Sequence, residues 1–142
     1  MATTPKVLDL SKHYQEADDI AEGQWFTLDS GLEVLVARTN SPEFYRVFTS
    51  VFKKHGGKRG KELPPHKSMA VMIGTVARAV FKSFRGPDGE VQVAIKNEVI
   101  SDTVEGRERM LELYPDLREE IDNLASLSAE EFAEWIDEAG KA

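Results

Sequence analysis

Residues 69–100 place the tightest constraint on what this chain can fold into. The stretch opens with the apolar run MAVMIGTVARAV, passes through FKSFR and the turn residues GPDG, and continues into EVQVAIK. Apolar side chains recur in the run at helical spacing, at Met69, Met72, Ile73, Val76, Ala77 and Val80. The spacing predicts a helix over residues 65–80 that leads directly into a β-hairpin, and the rest of the chain has to pack around this unit.

The GPDG segment predicts the turn of that hairpin. Proline presets φ at the second position of a turn, and Gly89 tolerates the positive φ that follows. Apolar positions alternate with more polar ones after the turn, at Val91, Val93 and Ile95. This period of two is typical of a half-buried strand, and before the turn it puts Phe81 and Phe84 on opposite faces. The two runs are therefore expected to pair across residues 87–89.

A second hairpin is predicted near the start of the chain. Strand-like runs at residues 24–28 and 32–37 flank Asp29-Ser30-Gly31, with Gly31 at the position of a three-residue loop that needs a left-handed conformation. Ser41 and Pro42 then predict a helix start, because serine caps the free N–H groups of a first turn and proline fits the first helical position. The sequence thus predicts a hairpin followed by a helix.

The helix after Ser41 is unusually aromatic. Its apolar stripe consists of Phe44, Val47, Phe48 and Val51, widened by Tyr45 and Phe52. A stripe at this spacing is typical of a helix that packs on a core. The alternative is an aromatic patch that faces a partner, and the sequence leaves both interpretations open.

Composition limits the class of protein. The 142 residues are 30% charged and 41% hydrophobic, which fits one soluble globular domain with a moderate core. The chain has no run of 18 apolar residues and no apolar signal core in its first residues, so neither a membrane association nor export is expected. It has no cysteine, which excludes disulfides and thiolate metal sites.

Charge is distributed unevenly along the chain. Residues 46–67 carry seven Lys and Arg against one Glu, a net charge of +6, whereas residues 104–142 carry a net charge of −8. Opposite patches of this size predict internal electrostatic matching or self-association into an oligomer; two separately solvated surfaces are the alternative. The candidate self-association residues are Lys53, Lys54, Lys58, Arg59 and Lys61.

Residues 53–67 also contain three glycines and two prolines, which predicts a mobile basic loop. Nucleic-acid binding is not favoured, because base-stacking aromatics are not interleaved with the basic residues and the whole chain is acidic. His13, His55 and His66 follow no metal-ligand spacing. No nucleophile–base motif or phosphate-binding GxxxxGK[ST] motif is present, so we expect a non-enzymatic protein without a cofactor or a metal.

The C-terminal part is predicted to be helical and acidic. One helix is expected at residues 104–113, broken at Tyr114-Pro115, and a second at residues 116–125. Ser128 and Glu131 form a capping box that opens a last amphipathic helix. That helix carries Phe132, Trp135 and Ile136 as candidate partner-binding residues, since aromatic anchors favour interfaces; docking on the chain's own core is the alternative.

Short motifs along most of the chain, in a consistent order, make it resemble the tail assembly chaperones of long-tailed, siphovirus-type bacteriophages. They are GxW at residues 23–25, GLEVLV at 31–36, SPxFYR at 41–46, DG at 88–89, NE at 97–98, LxPxL at 113–117, Ile121 and Phe132. The chain departs from such proteins before the DG turn, where FRG stands at residues 84–86 and a tryptophan is common in the family.

The resemblance implies a non-enzymatic protein of virion morphogenesis. Members of the family bind the tape measure protein and keep it soluble while tail tube subunits polymerise around it. They act in the host cytoplasm and are absent from the mature virion. The expected partners are thus the tape measure protein and, secondarily, the tail tube protein. The alternative is a phage structural or adaptor protein that stays in the particle.

The expected fold class is α+β, a mainly helical single domain with two small antiparallel β-hairpins. Residues 1–22 are expected to be a loosely ordered lead-in, and residues 23–142 a chaperone-like domain with the basic loop at residues 53–67.

Overall fold

A three-stranded antiparallel sheet and four helices form the part of the chain that the computed structural model describes, residues 6–10, 16 and 22–127. The sheet has the order β1 (Gln24–Thr27), β2 (Glu33–Val36) and β3 (Phe81–Arg85), and β4 (Ala94–Ile95) pairs separately with β5 (Glu98–Val99). The helices are α1 (Pro42–Lys54), α2 (Pro65–Thr75), α3 (Val104–Leu113) and α4 (Pro115–Ala125). The predicted mainly helical α+β class with two small antiparallel β-hairpins is confirmed, with a third strand added to the first hairpin.

The first hairpin and the start of α1 follow the sequence prediction. β1 and β2 pair around a loop in which Gly31 has a φ of +94°, and the Leu28 N–H donates to the Leu32 carbonyl at 2.9 Å. The Ser41 hydroxyl caps α1 by accepting from the Phe44 N–H at 3.1 Å. Pro42 then occupies the first turn of the helix, as predicted.

The predicted hairpin across residues 87–89 is wrong. β3 pairs with β2, and Pro87–Gly89 forms a 3-10 turn after which the chain folds sharply back. The turn is so close that a Cβ on Gly86 would lie 1.8 Å from the Val91 carbonyl oxygen. Alternation in a sequence indicates a strand but not its partner: of the predicted strand only Ala94 and Ile95 form β4, which pairs with the later β5.

That later pairing forms the second small hairpin. β4 and β5 are joined by Lys96 and Asn97, which both have positive φ, 50° and 69°. Positive φ at both turn residues is what a two-residue type I′ hairpin turn requires. The hairpin places Ile95 in the core while Val91 stays 57% exposed.

A β-bulge puts two phenylalanines on the same side of β3. Val36 pairs with Phe81 but Leu35 pairs with Ser83, so Lys82 is an extra residue on the third strand. Phe81 and Phe84 are consequently both buried, with ring centroids 6.0 Å apart. The prediction that they face opposite sides is wrong because the bulge interrupts the period of two.

One apolar cluster joins the sheet, the second hairpin and the helices. It contains Phe26, Val34, Val36, Ile73, Val76, Val80, Phe81, Phe84, Ile95, Met110, Leu111, Ile121 and Leu124. The predicted helix over residues 65–80 is present, but its last turn, Val76–Val80, is π-helical, and the Phe81 N–H reaches back to the Val76 carbonyl. This wide turn lets α2 pass directly into β3 without a loop.

The C-terminal helices have the predicted limits. α3 ends at Leu113 and α4 begins at Pro115, as expected at a residue that precedes proline. Thr103 is the cap of α3, since its hydroxyl accepts from the Gly106 N–H at 3.0 Å. Met110 and Leu111 of α3 are buried, whereas Leu113 at its end is exposed.

Candidate functional site

Three phenylalanines form a continuous ladder along α1. Phe44, Phe48 and Phe52 are spaced one turn apart, and successive ring centroids are 6.5 and 5.9 Å apart with nearly parallel planes. Tyr45 meets Phe44 edge-on at 5.8 Å and is 63% exposed. The three ladder residues are half-buried, and Phe44 packs against the main core.

α1 packs along α2 and the π-helical turn, and Phe44 near its start packs against the main core. Val51 is the buried residue of this helix, and its Cγ1 lies 3.1 Å from the position that a Cβ on Gly74 would occupy. Gly74 thus lets α1 and α2 approach closely. The sequence left open whether the aromatic stripe faces a core or a partner; the structure encloses Val51 and leaves the aromatic residues partly open.

The end of α1 folds the following loop back over the last ring of the ladder. The Gly57 N–H donates to the Phe52 carbonyl and the Gly56 N–H to that of Lys53, with Gly56 at a φ of +82°. This is the Schellman pattern of helix termination. A Cβ on Gly57 would lie 2.4 Å from the Phe52 ring, so the loop backbone rests directly on that ring.

A groove of about 380 Å³ opens between α1, the loop and α2. Its apolar lining comes from Phe48, Phe52, Leu63, Val71 and Met72, and its polar lining from Lys61, Glu62 and Ser68. Met72 is 44% exposed at this groove, and Met69, in the preceding turn of α2, is 46% exposed. We call this site the aromatic groove. Methionine and aromatic side chains together make a surface that adapts to varied apolar partners.

Basic side chains lie in the segment that forms the groove. Arg46, Lys53, Lys54, Lys58, Arg59, Lys61 and Lys67 are all exposed. The ion pairs within residues 22–127 all involve other Lys and Arg side chains. No carboxylate in that range therefore forms an ion pair with any of these seven. Lys53 and Lys54 sit in the last turn of α1, where the helix dipole favours positive charge.

A second exposed surface lies where α3 meets α4. Leu113 and Tyr114 are 39% and 41% exposed at this junction, and two nearby residues in sequence, Glu112 and Asp116, are exposed carboxylates. Glu119 and Glu120 extend the acidic surface along α4. We call this surface the acidic corner, defined by residues 112–116, 119 and 120. It shares no lining residue with the aromatic groove.

Other concave sites carry little chemistry. A cleft of about 440 Å³ lies between the β1–β2 loop, residues 86–95 and α3–α4, with Glu120 and Tyr114 as its ionisable lining residues. His55 is half-buried and His66 is exposed. In the described part of the chain, no three His, Cys, Asp or Glu side chains converge as a metal site.

The structure brings some predicted site residues together and leaves others outside it. The candidate self-association residues follow the ladder directly, with Lys53 and Lys54 on α1 and Lys58, Arg59 and Lys61 in the loop. The candidate partner-binding residues Phe132, Trp135 and Ile136 lie outside the described residues. Leu63, Leu113 and Tyr114 were not predicted as site residues. Leu63 could have been noticed in the sequence, because it is the apolar residue of the basic loop.

Comparison with protein-family models, curated proteins and solved structures finds no match to this chain. None of the helices in the described ranges has both the length and the apolar character needed to cross a bilayer.

Proposed function

We propose that this chain is a phage tail assembly chaperone that binds the tape measure protein and keeps it soluble while the tail tube polymerises. The observation that carries the proposal is the partly open aromatic ladder of Phe44, Phe48 and Phe52, continued by exposed Tyr45 and Met72. In this role the chain binds without catalysis, acts in the host cytoplasm and is absent from the finished particle.

The ladder matches the geometry of a helix-in-groove interaction. Its rings are spaced by four residues and so extend over about 12 Å of helix, at about 1.5 Å per residue. An apolar stripe on a partner helix repeats over the same distance and can lie along the rings. A tape measure protein is a long, largely apolar helix with many such stripes.

The expected affinity of one groove is modest. Fully burying an aromatic side chain contributes about 1.5–3 kcal/mol, while association costs at least about 4 kcal/mol in lost freedom of motion. A few half-buried rings therefore support weak, reversible binding. Weak binding at many sites suits a chaperone, since it covers a long helix and is displaced as tube subunits assemble.

The test is co-expression with the tape measure protein of the same phage. We expect the tape measure protein to remain in the supernatant with the wild-type chain and to pellet with Tyr45→Ser/Phe48→Ser, which removes ladder surface. Val91→Ser is the matched control, because Val91 is 57% exposed and does not line the aromatic groove. If the tape measure protein pellets equally with and without the wild-type chain, the chaperone proposal fails.

Purified particles distinguish the proposed role from the alternative one. A chaperone leaves before the tail is complete, so mass spectrometry of purified virions should not detect this chain in stoichiometric amounts. Stoichiometric recovery would instead assign it as a structural or adaptor protein of the particle.

A further inference from the structure

We infer that copies of this chain associate head to tail, with the acidic corner of one copy seated in the aromatic groove of the next. The inference does not depend on the proposed function, and a groove that holds the next copy is not open to the tape measure protein at the same time. It rests on two surfaces of the same chain that are both apolar at the centre and oppositely charged around it.

The groove supplies the positive half of the contact. Its apolar lining includes Phe48, Phe52 and Met72, and Lys61 and Glu62 are its charged lining residues. Six further basic side chains lie in residues 46–67, each exposed and none paired with a carboxylate of the described ranges. Unneutralised charges of one sign around an apolar surface favour a partner of the opposite sign.

The acidic corner supplies the negative half. Leu113 and Tyr114 stand exposed at the end of one helix and the junction to the next, where a partner can reach them. Glu112 and Asp116 flank them on either side in sequence, and no ion pair among the described residues uses these carboxylates. An apolar pair in an acidic segment is complementary to apolar rings in a segment with a net positive charge.

The two surfaces are different, so the contact between copies is heterologous. Contacts of this kind close into rings if the rotation between copies permits it and extend into open chains if it does not. A symmetric groove-to-groove contact is not favoured, because it would bring two sets of seven basic side chains together.

The first measurement is light scattering of the full chain. We expect oligomers near 0.1 M salt that dissociate near 1 M, since the screening length falls from about 10 to about 3 Å over that range. A monomer at both salt concentrations overturns the inference. Glu90→Lys is a control that reverses one exposed charge outside both surfaces and should leave the oligomers unchanged.

A mixing experiment tests the pairing itself. The groove variant Lys53→Glu/Lys61→Glu and the corner variant Leu113→Ser/Tyr114→Ser alter exposed side chains, so each should fold and each should be monomeric. The groove variant keeps an intact corner, and the corner variant keeps an intact groove. An equimolar mixture should therefore form a two-chain complex and nothing larger.

Other occupants of the groove give different results. A mixture that stays monomeric, or a corner variant that still forms wild-type oligomers, overturns the inference. If Trp135→Ser abolishes association while the corner variant still associates, the groove is occupied by residues 128–142 and not by the acidic corner. If the corner variant has a lower melting temperature than the wild type, Glu112→Lys replaces it, because that change leaves both apolar side chains in place.

Discussion

Arg107 is buried, with 8% of its surface exposed, at the point where three elements meet. Its Nε donates to the Ala77 carbonyl at 2.9 Å, and its Nη1 lies 2.7 Å from an Asp102 carboxylate oxygen. The Ser83 hydroxyl donates to the other carboxylate oxygen. Arg107 therefore satisfies a carbonyl in the π-helical turn and connects α3, through Asp102, to β3.

Replacing Arg107 should be costly. Arg107→Met leaves the buried Ala77 carbonyl without a donor and Asp102 without its cation, so we expect a loss of about 3 kcal/mol in the free energy of unfolding. Arg109→Met is the matched control, since its ion pair with Glu98 is solvent-exposed and should contribute less than about 1 kcal/mol. Urea denaturation of both variants measures the difference; equal losses would contradict the role given to Arg107.

Asp122 gives a pH dependence of known sign. Partial burial raises the pKa of its carboxyl above the usual 3.8, and the Arg118 guanidinium opposes that rise. The folded state thus disfavours the ionised form of Asp122, which lowers the free energy of unfolding. This loss is fully present at neutral pH and absent below pH 3.8. Asp122→Asn should raise the melting temperature at neutral pH, and the gain should vanish as the pH falls through the raised pKa. A gain that persists below 3.8 would exclude this cause.

The β4–β5 hairpin is the element that local sequence specifies least well. Its turn residues, Lys96 and Asn97, both adopt positive φ, which Asn tolerates and Lys disfavours. Lys96→Asn/Asn97→Gly supplies the residues that a type I′ turn prefers, so we expect a gain of about 1 kcal/mol in the free energy of unfolding. Thermal unfolding tests this, with Lys96→Gln as a control that changes the charge but keeps the conformational cost.

Helix limits were predictable because each has a local chemical signal. Ser41 and Pro42 begin α1, Pro115 separates α3 from α4, and these signals lie within a few residues of the boundary they set. Strand pairing carries such a signal only where turn residues join the two partners, as Asp29-Ser30-Gly31 join β1 and β2. The period of two predicted a strand at residues 91–95, but only Ala94 and Ile95 form one, and the tight turn at Gly86 leads them to a different partner. The bulge at Lys82 was likewise not predictable from local alternation, because it accompanies the burial of both Phe81 and Phe84.

The candidate site was predictable in composition but not in arrangement. The aromatic stripe of α1 and the basic residues after it are evident in the sequence. Whether that stripe is enclosed depends on how many elements cover it; here Val51 is buried, Phe44 packs on the core, and Phe48 and Phe52 stay half-buried. Met69 and Met72 fit the same helical face as Ile73, yet that face is covered only toward the C-terminal end of α2. Exposure of the acidic corner depends on the same kind of long-range packing.

At the scale of the whole molecule, opposite charges occupy separate surfaces. The basic segment of residues 46–67 borders the aromatic groove, and carboxylates surround Leu113 and Tyr114. Within the described residues, ion pairs such as Arg78 with Glu108 tie α2 to α3 without using the cations of that basic segment. The asymmetry seen in the sequence therefore persists as surface charge, and salt is the variable to which assembly should respond most strongly.

The loop between α1 and α2 also divides the molecule into two fragments that depend on each other. Lys58, Arg59 and Lys61 are exposed in backbone without regular structure, which is where trypsin cuts folded proteins most readily. The piece before the cut contains β2, and the piece after it contains β3, its hydrogen-bonded neighbour. A nicked chain should therefore elute at the size of the intact chain and separate only in denaturant, which would make this loop the natural place to split the protein for a fragment-complementation reporter.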